Sequence, residues 1–448
     1  MNESQNEDRI FHRTLKQKWQ QVERGAGVYL YDTEGNRYLD ACAGVHVVSI
    51  GHGVQEIADA MHEQASKVCF TYSRFLTQPQ VDLARKIGDL TPEGLTKVFF
   101  ISGGSEATES AMKIARKYHL ATGNPKKYKV ISRWQSWHGN TVGALSMSGR
   151  TSWRDDYVPY LLDFPHIPAP YCYRCPYGET SPGCQLTCAD ELERVIRQEG
   201  SEYISAFIAE PILGTSAAGM TPPPEYYPTI REICDRHNVL MIIDEVVTGF
   251  GRTGVNFGID HWGVVPDIMA TGKGLSSGYT PIAATIAHEK IYDAIYDKST
   301  SFVHGHTYGG NPLSCAVALA VQNYIEEHDL VSQCAQMGDL MLEKLTPLCD
   351  LPIVGEIRGK GLLIGIEFVA DKEQRAPFDP EQGVTSMVVN LAFEKGVLVM
   401  PGAPGLVDGV AGDHIAISPP FTITESEVLQ TVDVLKETIE AVSEQLGY

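Results

Sequence analysis

Short apolar runs alternate with amphipathic segments through the middle of the chain, between residues 97 and 290. The runs KVFFIS, KYKVISR, ISAFIAEP, VLMII and PIAATIAH are rich in branched residues and are bounded by polar residues or glycines, which is typical of buried strands. Between them, apolar residues recur at helical spacing, as at Ala111, Ile114, Ala115 and Tyr118. This alternation predicts an α/β domain with a largely parallel sheet.

The two ends of the chain have a different pattern. The segment YLYDTEGNRYLD predicts a β-hairpin, and a helix or an arm is predicted before it, over residues 13–21. Towards the other end we predict helical structure over residues 312–348, short strands in LPIVGEIRGKGLLIGIEFV, VLVMPG and HIAISPP, and a closing amphipathic helix over 425–446. These elements predict a smaller α+β domain. The expected division is 1–60 packing with 331–448, and 61–330 as the large domain.

Composition limits the classes of partner. With 448 residues the chain is long enough for two domains and a large core. Lys and Arg number 36 against 56 Asp and Glu, a formal net charge of -20, which disfavours nucleic acids and anionic membranes. Neither a membrane-spanning run nor the apolar core of a signal peptide is present in the sequence. We therefore expect a cytoplasmic protein.

Four of the ten cysteines cluster in CYRCPYGETSPGCQLTC, as Cys172, Cys175, Cys184 and Cys188. Two close pairs of cysteines are able to bind structural zinc, and the first pair has the usual two-residue spacing. The second pair is separated by three residues, and the spacing favours reduced thiols or a local disulfide over zinc. We assign no metal ligands from the sequence.

An acid and an amine follow two neighbouring strand patterns. Asp244 comes directly after the run VLMII, and Lys273 follows the strand pattern of residues 267–270. Residues just beyond the carboxyl ends of parallel strands line the ligand crevice of such sheets. Pyridoxal phosphate chemistry uses such a pair, because a lysine holds the cofactor as a Schiff base and an aspartate pairs with the protonated pyridine nitrogen. Asp244 and Lys273 are therefore the predicted catalytic residues.

A glycine-rich turn, SGGSEA, opens the helix that contains Ala111. Such a turn presents free backbone N–H groups, and the positive end of the helix dipole, to an anion. It is a candidate phosphate cup, although glycines also serve ordinary loops.

The segments IIDEVVTGFGRTG and ATGKGLSSGYTPIAA together resemble the cofactor signature of class III aminotransferases, the ornithine/4-aminobutyrate/ω-amino acid group. The resemblance extends from YLYDTEGNRYLD to GDHIAISPPF. It implies fold type I, with a mostly parallel seven-stranded sheet, and pyridoxal 5'-phosphate as cofactor. It also implies a homodimer with shared active sites, which could pair into a tetramer.

By the same resemblance, several residues take cofactor-binding roles. Gly104 and Ser105 match the phosphate-binding positions, and Trp137, before His138, matches the aromatic residue stacked on the cofactor ring. Val246 would cover the opposite face of the ring, and Glu210 would hydrogen-bond near the Asp244 pair. Thr307 would reach the phosphate bound mainly by the other subunit.

The resemblance implies transfer of an amino group from an amine donor to a keto acid, through pyridoxamine phosphate. Relatives that use 2-oxoglutarate carry an arginine where this chain has Ala416 and a gating glutamate where it has Thr215. Amine:pyruvate relatives often carry a mobile arginine shortly before the late Gly-Asp pair, and GLVDGVAGDH has none, so both usual carboxylate anchors are missing. We expect an ω-amino acid or primary amine as donor and pyruvate as acceptor, with Arg74 and His46 facing the substrate. A 4-aminobutyrate-type enzyme and a racemase, mutase or decarboxylase of the same fold are the alternatives.

Overall fold

A computed structural model describes residues 9–17 and 19–448. Its strands, in chain order, are β1 Val22–Ala26, β2 Tyr29–Asp32, β3 Arg37–Asp40, β4 Leu95–Ile101, β5 Lys129–Arg133, β6 His166–Ile167, β7 Ile204–Ala209, β8 Leu240–Asp244, β9 Ile268–Thr271, β10 Ala283–His288, β11 Val354–Lys360, β12 Leu363–Phe368, β13 Val397–Leu398, β14 Met400–Pro401 and β15 Asp413–Ile417.

The helices are α1 Ala43–His46, α2 Gln55–Lys67, α3 Gln78–Leu90, α4 Gly104–Ala121, α5 Val142–Met147, α6 Thr151–Arg154, α7 Thr187–Glu199, α8 Tyr226–Arg236, α9 Glu289–Lys298, α10 Pro312–Glu327, α11 Leu330–Leu345, α12 Val384–Glu394 and α13 Glu425–Leu446. None of those in the described ranges is both long and apolar enough to cross a membrane.

The central sheet has seven strands in the order β4-β10-β9-β8-β7-β5-β6. From β9 to β6 the neighbouring strands are parallel, and β10 runs antiparallel to both of its neighbours. Every residue of β7 and β8 is buried, because helices cover both faces of a parallel sheet. The predicted mostly parallel seven-stranded sheet of an α/β protein is confirmed.

Two smaller sheets belong to the ends of the chain. The first has the order β1-β2-β3-β13, and the second has the antiparallel order β11-β12-β15-β14. One hydrophobic core joins residues 28–57 to residues 317–442, whereas a second core joins residues 83–318. The helix α10 contributes to both cores. The exact division at residues 60 and 330 stays a prediction.

Two sequence predictions require correction. Of the helix or arm predicted over residues 13–21, the helix is wrong, because residues 13–16 form a bend and a turn. The apolar side chains of Phe11, Leu15 and Trp19 are exposed there, so these three residues form no buried face that would stabilise a short helix. The helical segment 312–348 is interrupted between α10 and α11, where Asp329 adopts the left-handed conformation with φ of 49°.

Candidate active site

Asp244 and Lys273 lie at the same edge of the central sheet. The strands β8 and β9 are parallel neighbours, with Asp244 paired with Ala270. The N–H of Glu245 donates to the carbonyl of Ala270 at 2.8 Å, so the register holds to the end of both strands. Lys273 lies three residues after Ala270 in the sequence. The sheet therefore brings the predicted acid and amine to the carboxyl ends of its strands, where α/β proteins bind ligands.

The Asp244 carboxylate is buried and keeps acceptor capacity. Its Oδ1 accepts from the N–H of Val246 at 3.0 Å, and its Oδ2 lies 2.8 Å from Nδ1 of His138. Because a carboxylate only accepts, His138 Nδ1 carries the proton. Each carboxylate oxygen is able to accept two hydrogen bonds. Asp244 is thus fixed from two sides and retains lone pairs for a cationic N–H group.

Glu210 fixes the loop that carries Trp137 and His138. Its Oε1 accepts from the N–H of Trp137 at 2.9 Å, and its Oε2 lies 3.9 Å from Nε2 of His138. The fully buried Arg133 donates to the Glu210 carbonyl at 2.7 Å and lies 3.4 Å from its carboxylate. This network connects the ends of β5 and β7, and it sets the position of the aromatic ring of Trp137.

The N-terminus of α4 is an open anion site. Gly103 precedes the helix and provides no side-chain cap, so the first N–H groups of the helix have no intrahelical partner. Ser105 Oγ accepts from the N–H of Asn140 at 3.0 Å. A Cβ on Gly139, whose φ is 129°, would lie 2.7 Å from Cα of Ser105. The loop after His138 therefore packs directly on the predicted phosphate cup.

Gly104 and Gly272 both adjoin Val246. A Cβ on Gly104 would lie 2.8 Å from Cγ1 of Val246, and one on Gly272 would lie 3.5 Å from the same atom. The anion site, Val246 and the residue before Lys273 are therefore in contact.

Replacing Gly104 with alanine is expected to weaken cofactor binding. The new methyl group would displace Val246, and overpacking of this kind should raise the Kd for pyridoxal phosphate roughly tenfold or more. Spectroscopic titration of the cofactor-free enzyme measures this. The control is Gly103→Ala, because a Cβ at position 103 meets nothing within 4 Å and the φ of -151° suits any residue. Equal Kd values for both variants would contradict the described contact.

Burial lowers the pKa of Lys273 to about 8. Its side chain has no hydrogen-bond partner among residues 9–17 and 19–448. Lys127 is also buried, and burial lowers its pKa to about 8 as well. However, Lys127 donates to the carbonyls of Ser201, Ile204 and His237 at 2.7, 2.9 and 3.2 Å. These residues precede or begin strands at the opposite edge of the sheet. Of these two buried lysines, Lys273 is the one that combines a free amine with the Asp244 edge.

The pKa of Lys273 sets a pH dependence for cofactor uptake. Only the neutral amine attacks an aldehyde, and burial favours that form above pH 8. The rate of pyridoxal phosphate uptake by the cofactor-free enzyme should rise about tenfold per pH unit below this pKa and level off above it. Stopped-flow absorbance measures the rate. A rate that still rises steeply between about pH 9 and 10 would match an exposed lysine instead.

His46 is buried, and its Nδ1 lies 2.6 Å from Oγ of Ser418, whereas its Nε2 has no partner in the described chain. Burial, together with the charges of Lys273 and Arg252, holds the pKa of His46 well below its usual range. His46 is therefore a neutral ring on the Lys273 side of the site. Its contact with substrate stays a prediction.

Arg74 and Thr307 are exposed on the surface of the single chain. Their two segments are neighbours, because Asn311 donates to the carbonyl of Cys69 at 3.1 Å and the rings of Phe70 and Tyr308 lie 6.2 Å apart. Within the described ranges, no contact joins either side chain to Lys273 or Asp244. Their roles toward substrate and phosphate stay predictions.

One buried acid escaped the sequence reasoning. The carboxylate of Glu245 accepts from the N–H groups of Gly258 and Ile259, both at 2.9 Å, and from the hydroxyl of Thr248. Burial raises its pKa to about 8. Glu245 thus holds the glycine-rich loop over the end of β8. In the sequence, the one signal that Glu245 could be a buried residue of the site is its position beside Asp244.

The four clustered cysteines line one small cavity, together with Glu179 and Ser181. All four are free thiols, and burial raises the pKa of Cys188 to about 12. In the described part of the chain, no group of three or more His, Cys, Asp or Glu side chains stands in a metal-binding arrangement. Metal analysis of the purified protein distinguishes zinc from free or paired thiols.

The site fits pyridoxal phosphate. The N-terminus of α4 has no side-chain cap and is able to bind a phosphate. The buried Asp244 carboxylate has lone pairs left to accept from a protonated ring nitrogen. The unpartnered amine of Lys273 is able to react with an aldehyde. The Val246 side chain and the Trp137 ring are both partly exposed at this site. They would cover the two faces of a planar ring.

Comparison with known proteins shows the family of the chain. The family model of aminotransferase class-III matches residues 11–439. An uncharacterized aminotransferase of Bacillus subtilis, YodT, is 41% identical over 95% of this chain and 96% of its own length. The adenosylmethionine-8-amino-7-oxononanoate aminotransferase of Geobacter sulfurreducens is 38% identical over 96% of this chain and 95% of its own length.

Among solved structures, the omega transaminase from Pseudomonas jessenii in complex with PMP is 35% identical, with a TM-score of 0.90 over 96% of this chain and 94% of that one. The match to the family model and the identity to these relatives both extend over nearly the whole chain. The chain therefore belongs to the class III aminotransferases, enzymes that use pyridoxal phosphate to move an amino group from an amine donor to a keto acid.

Proposed function

We propose that this aminotransferase transfers the amino group of an ω-amino acid or a primary amine to pyruvate. The observation that carries the proposal is the absence of both carboxylate-handling residues of the 2-oxoglutarate enzymes. Ala416, on β15, has no charge, and Thr215 stands in place of the gating glutamate. A five-carbon dicarboxylate has two charges to satisfy, whereas pyruvate has one. The similarity of the chain to an omega transaminase supports the proposal.

The residues of the chain have separable tasks in this proposal. Bound pyridoxal phosphate supplies the aldehyde that takes up the amino group and the charged ring that withdraws electrons. Lys273 holds the cofactor and moves the proton at its Nζ. Burial lowers the pKa of this amine to about 8, which is close to neutral pH. Asp244 keeps the ring nitrogen charged, while His138 and the Val246 N–H hold its carboxylate in place. Trp137 and Val246 exclude water from the ring faces.

We also propose a homodimer with shared sites, located in the cytoplasm. Phe70, Tyr72, Phe75 and Leu76 are exposed beside the segment of Thr307, at 46, 70, 65 and 78% of their full area. Several exposed apolar side chains in one short segment favour an interface there, and a second subunit at this segment would cover Arg74 and Thr307 together.

A screen of amine donors against pyruvate and 2-oxoglutarate tests the proposed function. We expect amino transfer to pyruvate from ω-amino acids and neutral amines, with parallel lines in double-reciprocal plots because the two half-reactions alternate. Transfer to 2-oxoglutarate alone would favour a 4-aminobutyrate-type enzyme. Turnover of an amino acid without any keto acid would favour a racemase, mutase or decarboxylase.

A further inference from the structure

A loop with four thiols lies outside the site described above. Its two cysteine pairs line one cavity of about 20 Å³, with Cys172 and Cys175 from the first pair and Cys184 and Cys188 from the second. A cavity of this volume has room for about one water molecule, so the residues on its walls lie close to one another. None of the predicted cofactor-binding residues lines this cavity.

The thiols of the loop influence one another through space. The pKa of Cys172 is raised by partial burial and then by the nearby Cys184 and Cys175. The pKa of Cys188 is raised to about 12 by burial and then by the other three thiols. Because charge interactions weaken with distance, these mutual effects agree with the shared cavity. Among the other thiols, Cys184 has the largest effect on Cys172.

The cluster is open to solvent, unlike most other cysteines of the chain. Cys172 is exposed, and the other three thiols of the loop are partly exposed. Four of the remaining six cysteines are buried, namely Cys42, Cys234, Cys315 and Cys334. The last two, Cys69 and Cys349, belong to separate segments of the chain. A dissolved oxidant is therefore able to reach the cluster, where an oxidised thiol has a second thiol beside it.

The same loop connects two parts of the molecule. At its start, the hydroxyl of Tyr171 and the Nε of Arg174 both donate to Glu367 on β12, the latter at 2.8 Å. At its end, Cys188 lies in the first turn of α7 and packs against the core of the central sheet. A covalent link across the loop would fasten the segment that holds β12 to the segment that begins α7.

From this arrangement we infer that the loop is a site of reversible oxidation, at which a peroxide converts Cys172 and Cys184 into a disulfide. One thiolate attacks a peroxide oxygen, the O–O bond breaks, and a sulfenic acid and one molecule of water form. The second thiol attacks the sulfenic sulfur, so that the S–S bond forms, the S–O bond breaks and a second water leaves. The two sulfur atoms together lose two electrons, which the peroxide accepts.

A dithiol reverses this reaction by thiol–disulfide exchange. Amino transfer takes no part in it, so the inference is independent of the proposed function.

The test treats the holoenzyme with hydrogen peroxide at about pH 8.5, because the raised pKa of Cys172 leaves little thiolate at neutral pH. Free thiols are then alkylated, and the protein is digested with trypsin without a reductant. Cleavage after Arg174 separates Cys172, in peptide 155–174, from the other three cysteines, in peptide 175–194. We expect these two peptides to be joined, with fragmentation that places the link at Cys184, and we expect a dithiol to release them.

Variants and heating provide two further readouts. Cys184→Ser should lose the joined peptides, whereas the matched control Cys349→Ser, which removes another partly exposed thiol, should keep them. Oxidation should raise the melting temperature of wild type by about 2 °C or more, because the link restricts the unfolded chain, and should leave that of Cys184→Ser unchanged. Since fragmentation assigns the link in wild type, the test does not depend on the folding of a variant.

Alkylation of both Cys172 and Cys184 after peroxide treatment would overturn the inference. A link from Cys172 to any other cysteine, or a link between two chains, would overturn it as well. One equivalent of zinc in the purified protein, with the four thiols protected from alkylation until a chelator removes the metal, would assign the cluster to metal binding instead.

Discussion

Lys273→Ala is expected to reduce kcat for amino transfer by more than about 10³-fold, because it removes both the covalent attachment and the group that moves the proton. The variant should fold, since the Lys273 side chain makes no hydrogen bond within the described chain. It should also lose the absorption band of the covalently bound cofactor.

Single-turnover kinetics with a good amine donor measures this loss. The control is Lys126→Ala, a neighbour of the buried Lys127 with an exposed side chain, and it should behave as wild type. If Lys273→Ala retained more than about a tenth of the wild-type rate, another residue would have to move the proton.

Asp244→Asn is expected to lower kcat by about 10²-fold or more and to weaken cofactor binding. The amide has no charge to hold a proton on the ring nitrogen. It also disturbs the 2.8 Å contact with His138. We expect a change in the absorption spectrum of the bound cofactor, because the protonation of the ring nitrogen changes.

Asp267→Asn is the matched control for this variant. Asp267 is also buried, but it lies at the other end of the two strands, where it contacts Arg231 at 2.9 Å and Lys290 at 2.6 Å. Its replacement should lower the melting temperature and leave the cofactor spectrum unchanged. If the two variants had the same spectrum and kcat, Asp244 would be no more than another buried carboxylate of the fold.

The sequence predicts well where local pattern and burial agree. The hairpin of β2 and β3, the strands β7 and β8 and the closing helix α13 all appear at the predicted positions, because their periodicity reflects the face that is buried. The helical alternative for residues 13–21 fails for the same reason, since Leu15 and Trp19 are exposed in the described part of that segment. The placement of Asp244 and Lys273 at one edge was predictable, because strand ends of a parallel sheet meet there; their catalytic roles stay predictions.

Burial of isolated charged residues was not predictable in this way. Arg150 and Glu245 look in the sequence like ordinary loop residues, which usually lie on the surface. Their burial depends on contacts with residues far away in the sequence, such as Ala403 for Arg150 and Ile259 for Glu245. Arg74 shows the opposite case, because a loop arginine that suits a substrate carboxylate is exposed in the single chain.

Borohydride treatment of the holoenzyme, followed by peptide mass spectrometry, tests the central claim most directly. Reduction fixes the covalent link between the cofactor and whichever amine holds it. Lys273 and Lys127 are both buried, with pKa values lowered to about 8, but Lys127 is occupied by three carbonyls at the other edge of the sheet. We predict that the label is found on the peptide that contains Lys273. A label on Lys127 or on any other lysine, or no label at all, would contradict the assignment of the active site.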